Sequence, residues 1–361
     1  MFSTNKKFKL NNFKRIYLMS PPAVSTGGPE ALHQLGFILK TVLNKDIQIF
    51  YYPSIIQNPI HKNYEKYSLN FTNSIEDSSD NLIIIPEYFN FLIKTLDYNK
   101  IKKAIWWLSI DNYIGSRFRY KNSKSLRSIY KIPFNLIDNV NSFTNFYFGI
   151  YTIEEYLKLI YKFKNFNNLS ELKQADFHLA QSNYAYNYLK NKFDLVEYLS
   201  DFIRDDLLDN IHLPKTKKEN MICYNPQKSN RFMNLLIKKT SFKFIPLINL
   251  DNRKIKEILL KSKIYMDIGS HPGKDRLPRE AALLGNCVIT NLKGSALNDE
   301  DVSILNEFKF RENNKNMNNI ISKIEIIFKN YENEYKKFQP YIDKILKEKN
   351  TFIKEIKDLF E

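Results

Sequence analysis

Glycine is scarce in this sequence, with nine residues in a chain of 361, about a third of the usual frequency. Most of the glycines fall into two segments: Gly27, Gly28 and Gly36 lie in SPPAVSTGGPEALHQLG, and Gly269, Gly273, Gly285 and Gly294 lie in DIGSHPGKDRLPREAALLGNCVITNLKG. A chain that seldom uses glycine in ordinary loops keeps it where a side chain would obstruct the backbone. We therefore look for function first in these two segments.

Cysteine is scarcer still. Cys223 and Cys287 are the two cysteines and lie far apart in sequence, which argues against a disulfide framework or a cysteine-rich zinc site. They are expected to be small buried residues. The sequence contains no HExxH motif, CxxC pair or histidine cluster, so it predicts neither a metal ion nor a cofactor.

Long apolar runs are absent. No stretch approaches the ~20 residues that cross a bilayer. The first residues, MFSTNKKFKLNNFKR, lack the apolar core of a signal peptide. The sequence therefore predicts a cytoplasmic protein, with peripheral contact at the inner face of the cytoplasmic membrane as a further option.

Positive charge is in excess: 55 Lys and Arg face 39 Asp and Glu, for a formal charge of +16. The partner could be a nucleic acid, an anionic lipid or a phosphorylated small molecule. Abundant Lys and Asn on solvated helix faces would explain the same excess without any partner. A composition of 43% hydrophobic residues predicts a folded chain, and its length predicts two domains.

Apolar runs alternate with helical patterns through most of the chain. RIYLMS, IQIFYYP, NLIIIPEY and KAIWWLSID are typical of parallel strands covered on both faces, with a helix expected from Pro29 to Leu43. A second alternation begins at Asn220. The pattern predicts an α/β protein with two Rossmann-like, doubly wound domains facing a cleft, 1–203 and 204–361, with the linker at about 204–219. The first domain carries an aromatic and basic insertion at about 112–170. Amphipathic helices, interrupted at Pro340, end the chain and could pack back on the first domain.

The segment around residues 267–290 contains the largest group of candidate binding residues. A predicted strand leads into the loop SHPGKDR, and a helix is expected from Pro278 with Glu280 in its first turn. The loop carries His271, Gly273, Lys274, Asp275 and Arg276. Cations beside a helix N-terminus make a site for a diphosphate, and a carboxylate there can accept both hydroxyls of a ribose. In the alternative interpretation, Glu280 only complements the helix dipole and the cations are solvated.

The pattern D-x-G-x-H-P-G-K-D-R-x-P-R-E-A-A-x-x-G-x-x-V-I-T resembles a motif of bacterial GT-B glycosyltransferase-like proteins. Its layout is related to that of retaining family 4-type glycosyltransferases, which carry LPxxEAxxxGxPVI, and the match covers mainly the C-terminal domain. The resemblance implies that Glu280 binds the nucleotide ribose and that Lys274 or Arg276 holds the donor diphosphate. The retaining families carry a second Glu about eight residues earlier. Here Pro272 and Gly273 occupy that region, which leaves the donor-sugar contacts and the stereochemical outcome open.

The segment CYNPQKSNRF resembles the place where GT-B enzymes put a diphosphate-binding lysine after the first strand of the second domain. The resemblance makes Lys228 the candidate, with Arg231 in support. An ordinary Asn-Pro turn followed by polar residues is the alternative.

In the first domain, the loop with Gly27 and Gly28 has neither GxGxxG nor Walker spacing. It resembles the GT-B loop that approaches the donor phosphate or the acceptor. Glu30 and His33 follow this loop, and Asp111 ends a predicted strand, so these three are candidates for a catalytic base. The alternatives are a helix-surface histidine for His33 and a capping residue for Asp111.

Arg117–Lys131 carries six cations and no acid, and the aromatic segment 143–151 follows it. Interleaved cations and aromatics could lie on an anionic membrane or stack on single-stranded nucleic acid. A solvated basic face is the third interpretation.

Together these features predict a metal-independent glycosyltransferase that moves a sugar from a nucleotide-sugar donor to a saccharide or lipid-linked saccharide acceptor. Bacterial surface polysaccharide or glycoconjugate synthesis is the expected setting, and the Glu280 motif favours retention. A nucleotide-sugar epimerase of the same fold is one alternative. A basic nucleic-acid-binding protein is the other, although no nucleic-acid partner is expected.

Overall fold

The computed structural model describes residues 7–53, 57–90, 92–95, 97–111, 113, 172–208, 217–228 and 231–361. Both aromatic and basic segments, Arg117–Lys131 and 143–151, lie outside the described residues. The described residues form two compact units. Unit 1 contains those up to Tyr113, those from 172 to Phe202, and those from Glu348 onward, and unit 2 contains Ile203–Lys347.

Unit 1 is built on a seven-stranded parallel sheet in the order β3-β2-β1-β4-β5-β6-β7. Its strands are β1 (Arg15–Ser20), β2 (Asp46–Tyr51), β3 (Asn70–Thr72), β4 (Asn81–Pro86), β5 (Lys102–Trp107), β6 (Phe177–Ala180) and β7 (Val196–Tyr198). Its helices are α1 (Gly27–Val42), α2 (Leu92–Thr95) and α3 (Asn183–Leu189). The strand order reverses between β1 and β4, where sheets of this type bind ligands beyond the carboxyl ends of the strands.

The apolar runs of unit 1 explain why its central strands are buried on both faces of the sheet. All six residues of β4 are buried, as expected for a central strand with helices on both faces. The end of the chain also packs here, because Phe352 stacks on Trp106 with ring centroids 6.2 Å apart and contacts Phe202 at 5.6 Å. The backbone N–H of Leu10 donates to the carbonyl of Leu359 at 2.6 Å.

Unit 2 contains a five-stranded parallel sheet in the order β12-β11-β10-β8-β9. Its strands are β8 (Glu219–Tyr224), β9 (Lys243–Pro246), β10 (Ser262–Asp267), β11 (Cys287–Asn291) and β12 (Lys309–Phe310). Its helices are α4 (Asp205–Leu208), α5 (Arg231–Lys239), α6 (Asn252–Lys261), α7 (Arg276–Leu283), α8 (Met317–Lys329), α9 (Tyr331–Lys336) and the first part of α10 (Gln339–Phe360). Cys223 and Cys287 are free and buried, on strands separated by β10.

The prediction of two Rossmann-like units followed by C-terminal helices is confirmed. Two helix boundaries differ from those expected. Helix α7 begins at Arg276 rather than at Pro278, and α10 includes Pro340 as its second residue. Proline fits the first turn because its missing N–H has no helical partner there, so Pro340 helps to begin this helix instead of interrupting one. No helix in the described part of the chain is long and apolar enough to cross a membrane.

Candidate functional site

Three loops follow parallel strands at the carboxyl edge of the unit 2 sheet. They come after β8, β10 and β11, and their backbones approach closely. A Cβ added to Gly269 would overlap the backbone carbonyl of Lys228, and one added to Gly294 would overlap that of His271. Gly294 also has a positive φ of 54°, which L side chains rarely adopt. Close packing of these loops therefore accounts for two of the scarce glycines.

A partly buried ion cluster joins two of these loops. Lys228 Nζ lies 2.6 Å from Asp275 Oδ2, and His271 Nδ1 lies 3.2 Å from the same oxygen. His271 Nε2 lies 3.1 Å from the backbone carbonyl of Asp267. Both ring nitrogens therefore face oxygens, an arrangement that favours the protonated form of the imidazole.

The cluster shifts the pKa of each of its central groups. Burial raises the pKa of Asp275, but Lys228 and His271 outweigh burial and bring it to about 2. Burial lowers the pKa of His271, yet the charges of Asp267 and Asp275 raise it overall. For Lys228, too, Asp275 and Asp267 overcome burial and raise the pKa. Opposite charges within this small volume therefore stabilise one another.

Asp267, His271 and Asp275 also have the composition of a metal site, with ligand atoms within 4.8 Å of one another. Their geometry is better explained by the ion cluster. The ammonium of Lys228 already occupies the position beside Asp275, and a metal ion would have to displace it. The Asp267 carboxylate has a further partner, because the hydroxyl of Tyr265 donates to its Oδ2 at 3.1 Å.

Helix α7 starts directly after this cluster. Asp275 is its N-cap residue but makes no side-chain capping hydrogen bond. Arg279 is fully buried and donates to the backbone carbonyls of Asp275 and Lys274 at 3.1 and 3.0 Å. It thereby fixes the loop against the first turn of the helix. Arg279 was not predicted as a site residue, although a charged residue within the segment PREAALL was an available signal.

Glu280 lies on the second turn of α7 and is 7% exposed. Its Oε1 lies 3.4 Å from Nε of Arg204. Burial raises the pKa of Glu280, while Arg204, Arg276 and Arg279 oppose that rise. Arg204 was also missed, because it falls in the polar segment interpreted as a linker.

The remaining candidate residues of unit 2 differ in their distance along the chain from the start of α7 and in their burial. Lys274 is buried and Arg276 half-buried, and both have contacts within the protein. The carbonyl of Gly273 accepts a hydrogen bond from the hydroxyl of Ser295 at 2.5 Å. Arg231 is the exposed first residue of α5. The structure therefore brings Lys228, His271 and Asp275 into one cluster, and Glu280 into a separate pair with Arg204.

In unit 1, His33 is part of a packed aromatic cluster. Its Nδ1 lies 2.7 Å from the carbonyl of Pro29, its Nε2 lies 2.9 Å from the hydroxyl of Tyr51, and its ring stacks on Tyr64 at 4.1 Å. His33 is 1% exposed, and burial lowers its pKa to about 4. It is therefore neutral, with both ring nitrogens engaged inside the unit, rather than on a helix surface.

Glu30 and Asp111 also have partners within unit 1. The hydroxyl of Tyr67 donates to Glu30 Oε1 at 2.6 Å, and Lys66 Nζ lies 3.7 Å from the same oxygen. Asp111 is half-buried and accepts from the hydroxyl of Tyr184 at 2.8 Å. Of the three proposed bases, Asp111 is the one nearest to solvent.

Gly27 and Gly28 begin α1 and do not precede it as a loop. A Cβ on Gly28 would meet Leu108 Cδ1 at an ordinary 3.5 Å. This position therefore has room for a side chain, unlike Gly269.

A further carboxyl group lies at the end of β4. Glu87 is 4% exposed, and its Oε2 accepts from the backbone N–H of Leu108 at 2.9 Å. Burial raises its pKa to about 8, so the group is largely protonated at neutral pH. Glu87 was not predicted as a site residue, although it is an acid directly after an apolar strand, the same signal that indicated Asp111.

Several solved structures share the fold of this chain at low sequence identity. HepE from Anabaena, solved with UDP-glucose, has a TM-score of 0.57 and 9% identity, covering 95% of this chain and 98% of HepE. The N-terminal domain of trehalose-6-phosphate phosphatase from Candida albicans has a TM-score of 0.53 and 9% identity, with 99% of each chain covered. A glycosyltransferase from Rickettsia africae ESF-5 has a TM-score of 0.51 and 14% identity, covering 96% of this chain and 99% of that one.

These likenesses show the fold, which is the GT-B fold with its two Rossmann-like units. No protein-family model matches the chain, and no curated protein matches it. Function must therefore be argued from the residues of the site.

Proposed function

We propose that the protein is a glycosyltransferase that moves a sugar from a nucleotide-sugar donor, held by unit 2, to an acceptor hydroxyl. The observation that carries the proposal is the arrangement at α7. A helix N-terminus with Lys274 and Arg276 beside it is followed one turn later by the buried carboxylate of Glu280. Helix amides and cations suit a diphosphate, and an ionised carboxylate suits the ribose hydroxyls. Similarity to HepE, which was solved with UDP-glucose, supports the same donor class.

The main chemical task of this site is electrostatic. Glycosyl transfer builds negative charge on the departing diphosphate, and fixed cations and helix amides stabilise that charge as it grows. Arg276 and Lys274 flank the helix start, and Lys228 would be drawn from Asp275 towards the diphosphate. Each charge-assisted contact would contribute about 1.5–3 kcal/mol. These cations and amides can stabilise the diphosphate without a metal ion, so activity should persist with a chelator.

The stereochemical outcome, the catalytic base and the acceptor form part of the proposed function. Retention of configuration is favoured by the Glu280 motif, in which case the leaving phosphate can deprotonate the acceptor. If transfer inverts instead, Asp111 is the best placed of the unit 1 candidates because it is the least buried. We propose a saccharide or lipid-linked saccharide acceptor at the cytoplasmic face of the membrane, in surface polysaccharide or glycoconjugate synthesis.

Thermal stabilisation by a nucleotide panel tests the donor assignment. A ligand at 100 times its Kd adds about 2.7 kcal/mol to the free energy of unfolding, so UDP, GDP, ADP and CMP should separate into binders and non-binders. Glu280→Gln should reduce the stabilisation while the melting temperature without ligand stays close to that of the wild type. Product analysis with and without saccharide acceptors, in the presence of EDTA, then separates transfer from epimerisation. Absence of binding by every nucleotide and sugar nucleotide would reject the proposal.

A further inference from the structure

Arg204 lies just before α4, at the start of unit 2. Its Nε lies 3.4 Å from Glu280 Oε1 and 3.8 Å from Asp206 Oδ1. Arg204 is 9% exposed and Glu280 is 7% exposed, whereas half of the Asp206 side chain is open to solvent. Of these two contacts, the one with Glu280 is the shorter and the more buried. Solvent screens the attraction between two charges less when both are buried, so Glu280 is the stronger partner of Arg204.

The Glu280 carboxylate is faced by four charged groups. Arg204 leads the three arginines that favour its ionised form, ahead of Arg276 and Arg279, and Asp206 opposes them. Arg279 donates hydrogen bonds to backbone carbonyls of the preceding loop. Burial is the largest influence and raises the pKa of Glu280. Without Arg204, the carboxyl group would be still more readily protonated.

Protonation changes what Glu280 can bind. An ionised carboxylate only accepts hydrogen bonds and can receive two hydroxyl donors, whereas a protonated one uses an oxygen as a donor. We propose that Arg204 is a positioning residue that keeps the Glu280 carboxylate ionised and oriented to accept the 2′- and 3′-hydroxyls of the donor ribose. This inference rests on the proposed function of unit 2 and extends it to a residue outside the motif.

Calorimetric binding of UDP, GDP, ADP and CMP between pH 6 and pH 8 provides the test. The nucleotide that binds the wild type is compared with its 2′,3′-dideoxy form in Arg204→Met, Arg204→Lys, Glu280→Gln and the double variant R204M/E280Q. Arg253→Met is the matched control, because Arg253 Nε lies 3.1 Å from Glu257 Oε1 in a solvent-exposed pair of the same unit.

Arg204→Met should weaken binding of the ribose nucleotide roughly 10- to 100-fold and leave the dideoxy form nearly unaffected. Affinity depends on the ionised carboxylate, so it falls as pH decreases, and in Arg204→Met this fall should begin at a higher pH. Arg204→Lys should retain part of the affinity, and Arg253→Met all of it. Adding Arg204→Met to Glu280→Gln should cause no further loss.

Equal losses for the ribose and dideoxy nucleotides would indicate a purely structural role and overturn the inference. An unchanged affinity and pH profile in Arg204→Met would do the same while leaving the proposed function standing. If Arg204→Met does not fold, Arg204→Gln replaces it, and an unchanged pH profile there is equally decisive. Failure of the wild type to bind any of the four nucleotides or a sugar nucleotide would overturn the proposed function together with the inference.

Discussion

Lys228 Nζ lies 2.6 Å from Asp275 Oδ2, so the lysine proposed to bind a diphosphate is already paired with a carboxylate of its own unit. The pair connects the loop after β8 to the N-cap of α7. Any phosphate that recruits Lys228 must compete with Asp275. The pairing therefore holds the ammonium close to the helix N-terminus without leaving a buried charge uncompensated.

Asp275→Asn should lower the free energy of unfolding by about 2 kcal/mol at pH 7, because the pKa of Asp275 falls from 3.8 to about 2 on folding. A depressed carboxyl pKa stabilises the protein above the unfolded value and loses this effect as pH falls towards the folded value. The difference between variant and wild type should therefore shrink below pH 4, as measured by urea unfolding.

Asp80→Asn is the matched control. Asp80 pairs with Lys14 at 2.7 Å, but both side chains are more than half exposed, so its loss should change the unfolding free energy by less than about 1 kcal/mol. A difference between Asp275→Asn and wild type that stays constant from pH 7 to pH 3 would contradict the assigned pKa.

Lys228→Ala combined with Arg276→Ala should reduce kcat for glycosyl transfer by at least about 10³-fold, because two cations that stabilise the departing diphosphate are removed. The measurement is steady-state turnover with the donor identified by the nucleotide panel. Folding of the double variant is checked by its melting temperature. Turnover close to that of the wild type would exclude both residues from transition-state stabilisation.

The carboxyl group of Glu87 should make the protein less stable as pH rises. Its pKa increases from 4.5 to about 8 on folding, so the folded state retains a proton that the unfolded chain loses between these values. Glu87→Gln keeps an acceptor for Leu108 N–H and should raise the unfolding free energy at pH 8, by at most about 4 kcal/mol, with little effect at pH 4.5. Parallel urea titrations at both pH values measure this, and an unchanged pH dependence in Glu87→Gln would contradict it.

The limits of sequence reasoning here have identifiable physical causes. Strand periodicity was sufficient to predict the two Rossmann-like units, and the scarce glycines indicated where loops pack closely. Both patterns reflect local requirements of the backbone. The partners of Lys228 and Glu280 were not predictable, since each pair joins residues more than 40 positions apart. His33 was considered for catalysis because it follows a glycine pair, but the surrounding tyrosines enclose it. Tertiary contacts of this kind leave no short-range sequence pattern.

Gly269→Ala should be strongly destabilising, whereas Gly28→Ala should be tolerated. An added Cβ at Gly269 meets the backbone carbonyl of Lys228, and a backbone atom cannot rotate away as a side chain can. The two loops must therefore separate, at a cost of about 3 kcal/mol. At Gly28 the nearest atom belongs to the side chain of Leu108, at 3.5 Å, and the change should stay within about 0.5 kcal/mol.

Urea unfolding of both variants measures the contrast, and equal stability would show that the loops after β8 and β10 are not in backbone contact. Because the displaced loop carries Lys228, Gly269→Ala should also weaken nucleotide binding at temperatures where the variant remains folded.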